Sequence, residues 1–179
     1  MIASNLSTAH LQLRPFSGED TAAVLAYWQS DPGWERFNAS VPSNFTENDV
    51  ANFVTEMRER DREHRPHWAI VHEGSVIGIV VLTFEQGHRI AVIGYGIHAE
   101  FRGRGLSVEA ASKVIKEAFV SYPKLSRIRA HTNAENKPSM RVLEKLGFAR
   151  EGILRKNQFV KGRFVDEAIY GLLRDDWYC

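Results

Sequence analysis

Residues 93–107 read Ile-Gly-Tyr-Gly-Ile-His-Ala-Glu-Phe-Arg-Gly-Arg-Gly-Leu-Ser and join an apolar, strand-like run to an amphipathic helix through a short Arg/Gly loop. The first backbone N–H groups of a helix have no partner inside it, and the helix dipole places partial positive charge there. Gly103 and Gly105 can adopt positive φ and let a ligand approach the backbone, while Arg102 and Arg104 add charge. This order of strand, loop and helix predicts a site for a phosphate or pyrophosphate.

The same loop is open to a plainer interpretation. An Arg-Gly-x-Gly sequence is common in strand-to-helix turns that bind nothing, and only the flanking strand and helix favour a binding site. The loop matches neither the G-x-x-x-x-G-K-[ST] pattern of phosphate-binding ATPases nor the G-x-G-x-x-G pattern of dinucleotide-binding dehydrogenases. Those two enzyme classes are therefore not indicated.

The composition is that of an ordinary soluble globular protein. The chain has 179 residues, of which 44% are apolar and 25% charged, and its formal net charge is +1. This length suits one domain over residues 1–179, and the near-zero charge argues against a nucleic-acid or membrane partner. No run approaches the ~18 apolar residues of a membrane span. Since no signal peptide is recognisable and the single cysteine is Cys179, we expect a cytoplasmic protein without an internal disulfide.

Apolar periodicity and turn residues predict a mixed α/β chain of seven strands and four helices. Gly147 suits the left-handed position after a helix, and Asn136 suits the cap before one. The predicted elements, in chain order, are a strand at 11–15, helices at 17–29 and 46–62, strands at 67–72, 76–84 and 89–98, a helix from about 106 to 121, a strand at 128–132, a helix at 136–146, and strands at 149–158 and 164–172.

Several short motifs follow one another over nearly the whole chain. They are Leu11-Gln12-Leu13-Arg14-Pro15, Ile93-Gly94-Tyr95, Phe101-Arg102-Gly103-Arg104-Gly105, Asn133-Ala134-Glu135-Asn136-Lys137-Pro138-Ser139, Arg141-Val142-Leu143-Glu144-Lys145-Leu146-Gly147-Phe148, Glu151-Gly152, and the segment from Asp166 to Trp177. Their order and spacing resemble the GCN5-related N-acetyltransferase (GNAT) family, and within it the RimJ/RimL-like branch of ribosomal-protein N-terminal acetyltransferases. The resemblance implies the α/β GNAT fold, with a mixed, mostly antiparallel central sheet of about seven strands and about four flanking helices.

The resemblance also implies that the anion is the pyrophosphate of acetyl-coenzyme A (acetyl-CoA), the co-substrate of this family, and that no metal is needed. The family's loop pattern Q/R-x-x-G-x-G/A is matched by Arg102, Gly105 and Ser107, although Ser107 departs from the usual Gly or Ala. The backbone at the end of the preceding strand is implied to pair with the pantetheine arm. The implied cofactor-binding residues are Ile97, His98, Arg102, Gly103, Arg104, Gly105, Leu106, Ser107, Asn136 and Ser139.

Asn136 and Ser139 each have a structural and a functional interpretation. In the structural one, Asn136 is the N-cap of a helix and Ser139 merely lies in its first turn. The resemblance instead implies that the Asn136 amide binds the pantetheine and that the Ser139 hydroxyl, the candidate catalytic group, protonates the leaving thiolate. Residues three apart share a helix face, which gives the functional interpretation some support.

The sequence does not identify a general base. Relatives often carry a Glu immediately before the Ile-Gly-Tyr segment, and here that residue is Val92. At neutral pH roughly a tenth to a fifth of an α-amine is neutral, against less than roughly 0.1% of a lysine side chain. An α-amine therefore needs less help, and we expect the acceptor to be a protein N-terminus or an amino-acid-like amine, with water able to take the proton. The remaining candidate bases, each of which could equally be structural, are Glu85, His88, His98 and His131.

The acceptor is expected to bind between the two N-terminal helices and the final hairpin. Its apolar walls would come from aromatic residues that could equally, like Tyr95, belong to the core: Trp34, Phe37, Phe45, Phe159 and Phe164. An alternative function on the same fold is a non-catalytic coenzyme A-binding or sensor module, which only Val92 favours. The sequence leaves a monomer and a homodimer equally open.

Overall fold

The computed structural model describes residues 2–31 and 44–177, so that Trp34, Phe37 and Cys179 lie outside the described residues. Its centre is one sheet in the order β1-β2-β3-β4-β5-β6-β8-β7. The strands are β1 (Leu6–Ser7), β2 (Gln12–Arg14), β3 (His67–His72), β4 (Ser75–Glu85), β5 (Ile90–Ile97), β6 (Arg127–Asn133), β7 (Ala149–Val160) and β8 (Arg163–Leu173). All neighbouring strands are antiparallel except β5 and β6, which confirms the predicted mixed sheet.

Helices cover both faces of the sheet. One face carries α1 (Thr21–Gln29) and α2 (Glu47–Glu59), and the other carries α3 (Leu106–Ser121) and α4 (Lys137–Lys145). Alternate residues of a strand point to opposite faces, so β3 serves both cores: Trp68 and Ile70 pack on the α3/α4 side, whereas Ala69 and Val71 pack on the α1/α2 side. A strand buried on both faces reads as a continuous apolar run.

The described residues contain one strand and one helix more than the sequence predicts. The extra strand, β1, is a two-residue pairing in which Leu6 lies opposite Leu13, and it is too short to show a period of two. The extra helix, α5 (Arg174–Trp177), is a single turn at the end of β8. None of the described helices is both long and apolar enough to cross a membrane.

Local side-chain chemistry sets the ends of the helices. At the start of α2, the Asp49 N–H donates to Thr46 Oγ1, and the Thr46 N–H donates to the Asp49 carboxylate at 2.7 Å. This helix ends at Glu59 instead of about residue 62, because Arg60 takes up an extended backbone with ψ 139°. Gly147, with φ 84°, follows α4 in the left-handed conformation that its sequence position predicts.

The sheet divides between β5 and β6. These strands pair only from Ile90 opposite Arg127 to Val92 opposite Arg129. Further along, β5 stays with β4 and β6 stays with β8. A gap therefore opens in the middle of the sheet, and the strand edges that face it are left without a neighbouring strand in the part of the chain that the structure describes.

Two glycines allow unusually close packing beside this gap. A Cβ on Gly78 would lie 2.2 Å from the carbonyl oxygen of Gly96, and a Cβ on Gly96 would lie 2.0 Å from the Tyr27 hydroxyl oxygen of α1. Either side chain would force a backbone strand or a buried ring to move. The two glycines thus allow β4, the end of β5 and α1 to lie close together at the edge of the gap.

We expect the buried ion pair at the start of α1 to stabilise the fold in a pH-dependent way. Arg14 binds the Asp20 carboxylate through two bonds of 2.8 Å. Burial alone would raise the pKa of Asp20, but the hydrogen bonds from Arg14 and Ser17 outweigh it and hold that pKa below its ordinary value. A depressed carboxyl pKa stabilises the folded state above the unfolded pKa and loses this effect as pH falls through the folded one. Asp20→Asn should therefore lower the free energy of unfolding by about 2 kcal/mol at pH 7.

Urea titrations of the wild type and Asp20→Asn at pH 7 and near pH 3 measure this effect. The difference should shrink at the lower pH, since the unfolded carboxyl titrates at about pH 3.9. Glu19→Gln, at the exposed neighbouring position, serves as the control and should change stability little. An equal loss at both pH values would mean that packing, not the charge of Asp20, is responsible.

Candidate active site

The gap between β5 and β6 opens into a cavity of about 1100 Å³. Its walls include the facing ends of both strands, the loop after β5, the first turns of α3 and α4, and parts of α1 and α2. Residues from both faces of the sheet contribute, so the cavity has walls on the α3/α4 side and on the α1/α2 side.

A cradle of backbone N–H groups lies at one end of the cavity. Gly103 and Gly105 are in the left-handed region, with φ of 77° and 84°, and nothing lies within 4 Å of where their Cβ atoms would be. Gly105 caps α3, and the first helical bond runs from the Glu109 N–H to the Gly105 carbonyl at 3.0 Å. The N–H groups of residues 106–108 therefore have no partner inside the helix. This is the geometry that suits a phosphate.

The side chains of the two loop arginines each have partners within the protein. Arg102 binds the Asp31 carboxylate at the end of α1, and its Nε lies 3.4 Å from the Ile97 carbonyl oxygen. Arg104 lies over the ring of Phe101, with its guanidinium carbon 5.3 Å from the centroid. Arg102 thus braces the loop against α1 and β5.

A carboxylate in the first turn of α3 is held aside. Glu109 would repel a phosphate at the helix N-terminus if its charge were turned towards the cradle. Instead one oxygen accepts the His10 N–H at 2.9 Å, and the other lies 3.0 Å from His10 Nδ1. This contact ties the segment before β2 to α3 and uses both oxygens of the Glu109 carboxylate.

The end of β5 presents its backbone to the gap. The His98 N–H donates to the Ile77 carbonyl of β4 at 2.7 Å, so the sheet already uses it. Peptide groups alternate in direction along a strand, and the N–H of Ile97 is therefore directed away from β4 and towards the gap. The His98 ring packs edge-on against Phe101 and its Nδ1 accepts the Glu100 N–H, so this side chain does not line the cavity.

The start of α4 brings Asn136, Ser139 and Tyr95 together at the cavity wall. Asn136 Oδ1 accepts the Ser139 N–H at 3.2 Å, so Asn136 is the helix cap and also lines the cavity. The Tyr95 hydroxyl lies 3.2 Å from Ser139 Oγ and 3.1 Å from the Ser139 carbonyl oxygen. Burial raises the pKa of Tyr95 to about 12, which keeps the phenol protonated. The sequence predicts Tyr95 only as a core residue and misses this contact.

Of the four candidate bases, His131 lines the cavity and the other three do not. Glu85 is ion-paired with Arg129 on β6, and His88 stacks on Tyr122 with the ring planes 4° apart. His131 lies on β6 beyond the point where this strand leaves β5, on the α1/α2 side of the sheet.

The predicted aromatic walls of the acceptor site are wrong for the three residues that the structure describes. Phe159 and Phe164 are 60% and 62% exposed and pack on each other near the tip of the β7–β8 hairpin, while Phe45 packs on Trp28. None of the three lines the cavity; on the α1/α2 side the wall is made instead by Trp28, Phe53 and Met57. Amphipathic spacing identifies these residues as buried but cannot separate core from cavity wall.

All of the predicted cofactor-binding residues except His98 and Arg104 line the cavity. Among the described residues, no group of three or more His, Cys, Asp or Glu side chains could hold a metal ion. The cavity therefore joins an anion cradle, an unpaired strand edge, a hydroxyl pair and one imidazole.

Known proteins share this arrangement of elements. A family model described as an acetyltransferase (GNAT) domain matches residues 10–149. The uncharacterized N-acetyltransferase p20 of Bacillus licheniformis is 30% identical over 177 residues, which cover 96% of this chain and 97% of that protein.

Solved structures of acetyltransferases have the same fold as this chain. The GNAT-family acetyltransferase from Bacillus anthracis superposes with a TM-score of 0.84 at 29% identity, over 96% of this chain and 99% of that one. RimL, described as a ribosomal L7/L12 α-N-protein acetyltransferase, has the same fold, with a TM-score of 0.84 at 16% identity over 97% of this chain and 95% of that one. The chain belongs to the GCN5-related N-acetyltransferase family, and it is an N-acetyltransferase that uses acetyl-CoA.

Proposed function

We propose that the acetyl acceptor is the α-amine of a protein N-terminus or of an amino-acid-like small molecule. The observation that carries the proposal is the charge of the cavity wall. Its lining carboxylates, Asp31 and Glu56 among them, each pair with an arginine, and His131 is the candidate base that remains. An imidazole suits an α-amine, which is partly neutral at pH 7, whereas a lysine side chain is almost wholly protonated there and its ammonium would be bound best by an unpaired carboxylate in the wall.

RimL, which has the same fold, suggests which class of acceptor to test first. That protein is described as acting on the α-amine of ribosomal L7/L12, and it has the same fold at 16% identity. A protein N-terminus is therefore the first acceptor class to try. We also propose that residues 1–179 form one acetyltransferase domain, since all eight strands of the described residues belong to one continuous sheet.

The cradle and the β5 edge are proposed to hold the co-substrate. The backbone N–H groups at Gly103, Gly105 and the first turn of α3 would bind the pyrophosphate, and the open space beside both glycines fits that role. The peptide groups of β5 near Ile97 would pair with the pantetheine amides as an added strand does. Asn136 uses its Oδ1 as the helix cap, so its Nδ2 is the group that would donate to the pantetheine.

The chemistry requires three functions from the chain, because acetyl-CoA itself supplies only an activated acyl thioester. The Ile97 N–H would donate to the carbonyl oxygen as negative charge develops on it. His131 would take the proton that leaves the amine nitrogen when this nitrogen bonds to the acetyl carbon. The Ser139 hydroxyl, kept in place by Tyr95, would donate to the departing sulfur.

Ser139→Ala should lower kcat and leave the KM for acetyl-CoA nearly unchanged. A group that acts on the leaving sulfur matters mainly in the transition state, so its loss appears in kcat. The expected decrease is about tenfold to a hundredfold, the low end of general-acid effects, because a thiolate leaves fairly well unaided. Steady-state kinetics measure both constants, with Ser75→Ala at the exposed start of β4 as the control. A loss confined to KM would make Ser139 a binding or capping residue.

Release of coenzyme A thiol with a matched set of acceptors tests the proposed function. The set contains a lysine-free peptide with a free N-terminus, the same peptide blocked at its N-terminus and carrying one lysine, and an amino-acid amide. We expect thiol release and a mass gain of one acetyl group with the first or third acceptor and background release with the second. Preferential acetylation of the lysine peptide would overturn the proposal.

A further inference from the structure

A buried carboxylate that the mechanism above does not use lies beside His131. Glu167 on β8 is 3% exposed. The other buried carboxylate among the described residues, Asp20, is neutralised by Arg14. Glu167 has no lysine or arginine partner within the described part of the chain. Burial of a carboxylate without a cation is unfavourable, so the buried position of Glu167 calls for a functional explanation.

Two side-chain amides hold this carboxylate in one orientation. Asn157 Nδ2 donates to Glu167 Oε2 at 2.7 Å, and Gln158 Nε2 donates to Oε1. Both donors are neutral, so they fix the direction of the carboxylate and leave its negative charge uncompensated.

A β-bulge makes this pair of contacts possible. Consecutive residues of a regular strand point to opposite faces, so Asn157 and Gln158 could not both reach one carboxylate. The pairing of β7 with β8 shifts between Leu154 and Gln158, and within this interval Lys156 has φ 51°. The Lys156 N–H donates to Asp166 Oδ1 at 2.9 Å, which anchors the bulge to β8. Bulges of this kind redirect side chains beside functional sites.

The fixed carboxylate is directed at His131. In the β6–β8 register Asn133 lies opposite Glu167 and His131 lies opposite Ile169, so Glu167 and His131 are diagonal neighbours on one face. Glu167 Oε1 lies 3.7 Å from His131 Nδ1, within ion-pair contact and beyond hydrogen-bond distance.

Four other carboxylates on or beside this face pair with arginines. Glu85 binds Arg129, and Arg127 binds Glu151; at the mouth of the cavity Glu135 binds Arg163, and on α2 Glu56 binds Arg60. Glu167 is therefore the negative charge that remains for His131 among the described residues.

We propose that Glu167, held by Asn157 and Gln158, is a positioning residue for His131. This inference rests on the proposed role of His131. Glu167 keeps the proton of the neutral ring on Nδ1, so that Nε2 carries the lone pair that meets the acceptor amine. When the amine nitrogen gives its proton to Nε2, the imidazolium forms next to a carboxylate that is already oriented, and the proton stays on His131 until solvent removes it.

Glu167→Gln tests the inference with little change in shape. We expect kcat/KM for the acceptor to fall about tenfold to a hundredfold, mainly through kcat, with the KM for acetyl-CoA unchanged. Glu85→Gln is the matched control: it removes a carboxylate from the same sheet but outside the cavity, and it should leave kcat unchanged.

A second measurement keeps the test decisive if the substitution disturbs folding. The ¹⁵N chemical shifts of the His131 ring report which nitrogen carries the proton, and they can be read in Gln158→Ala, which keeps the Glu167 carboxylate and removes one of its two amide donors. We expect the Nδ1–H tautomer in the wild type and a mixture in Gln158→Ala and Glu167→Gln. An unchanged tautomer, or an unchanged kcat in Glu167→Gln, would overturn the inference. If His131→Ala retained full activity, the proposed role of His131 would fail first, whatever the tautomer.

Discussion

Gly105→Val is expected to raise the Kd for coenzyme A by about 100-fold or more. Gly105 caps α3 with φ 84°, a conformation that strains a β-branched residue by about 1–3 kcal/mol. Nothing lies within 4 Å of its Cβ position, so the valine methyl groups would occupy the space proposed for the pyrophosphate. An increase of 100-fold corresponds to about 2.7 kcal/mol of binding free energy. Titration calorimetry with coenzyme A measures it directly.

Gly74→Val provides a matched control for this prediction. Gly74 has φ 83° in the turn between β3 and β4 and is equally open at its Cβ position, but it lies outside the cavity. The two variants should suffer similar backbone strain, and only Gly105→Val should lose affinity. Equal affinity for coenzyme A in Gly105→Val and the wild type would show that the pyrophosphate does not bind at the α3 cradle.

His131→Ala is expected to lower kcat/KM for the acceptor by about 10²–10⁴-fold, the range of a general base. The acid limb of the pH profile should disappear, because no imidazole remains to be protonated as pH falls. The KM for acetyl-CoA should change little, since the imidazole lies across the gap from the phosphate cradle. Initial rates from pH 5.5 to 9 with an α-amine peptide provide the measurement.

His88→Gln is the control, since His88 stacks on Tyr122 outside the cavity. The outcome also decides between two accounts of the proton. If the limb followed the basicity of each acceptor and persisted in His131→Ala, then water would take the proton and the α-amine would supply its own reactivity, as the sequence alone suggests.

Much of the fold could be predicted from the sequence, because its signals are local. The Thr46/Asp49 capping pair, the Asn136 cap and the strand-loop-helix order around Gly105 each depend on neighbours within a few residues. The same is true of β3, whose continuous apolar run gives both its bounds and its burial on two faces. The motif order then adds the family's topology, which the antiparallel sheet with one parallel pair confirms.

The parts that could not be predicted depend on residues far apart in the chain. The charge of Arg102 suggests a phosphate ligand, but its partner is Asp31, 71 positions earlier. Periodicity cannot show that residues 155–157 bulge out of β7, so neither the convergence of Asn157 and Gln158 on Glu167 nor its approach to His131 is visible in the sequence. Phe159 and Phe164 are predicted to line the acceptor site because aromatic residues in a strand usually indicate a buried face. In the structure both are exposed.

A crystal structure of the protein with coenzyme A and an N-terminal peptide would show where both substrates bind. We expect pyrophosphate oxygens within hydrogen-bond distance of the N–H groups at Gly103, Gly105 and the first turn of α3. We also expect the thiol between Ser139 Oγ and the Ile97 backbone, with the peptide α-amine within about 3.2 Å of His131 Nε2 or one water away. A pyrophosphate bound elsewhere, or an α-amine on the side of the gap away from His131, would contradict the proposed function of these residues.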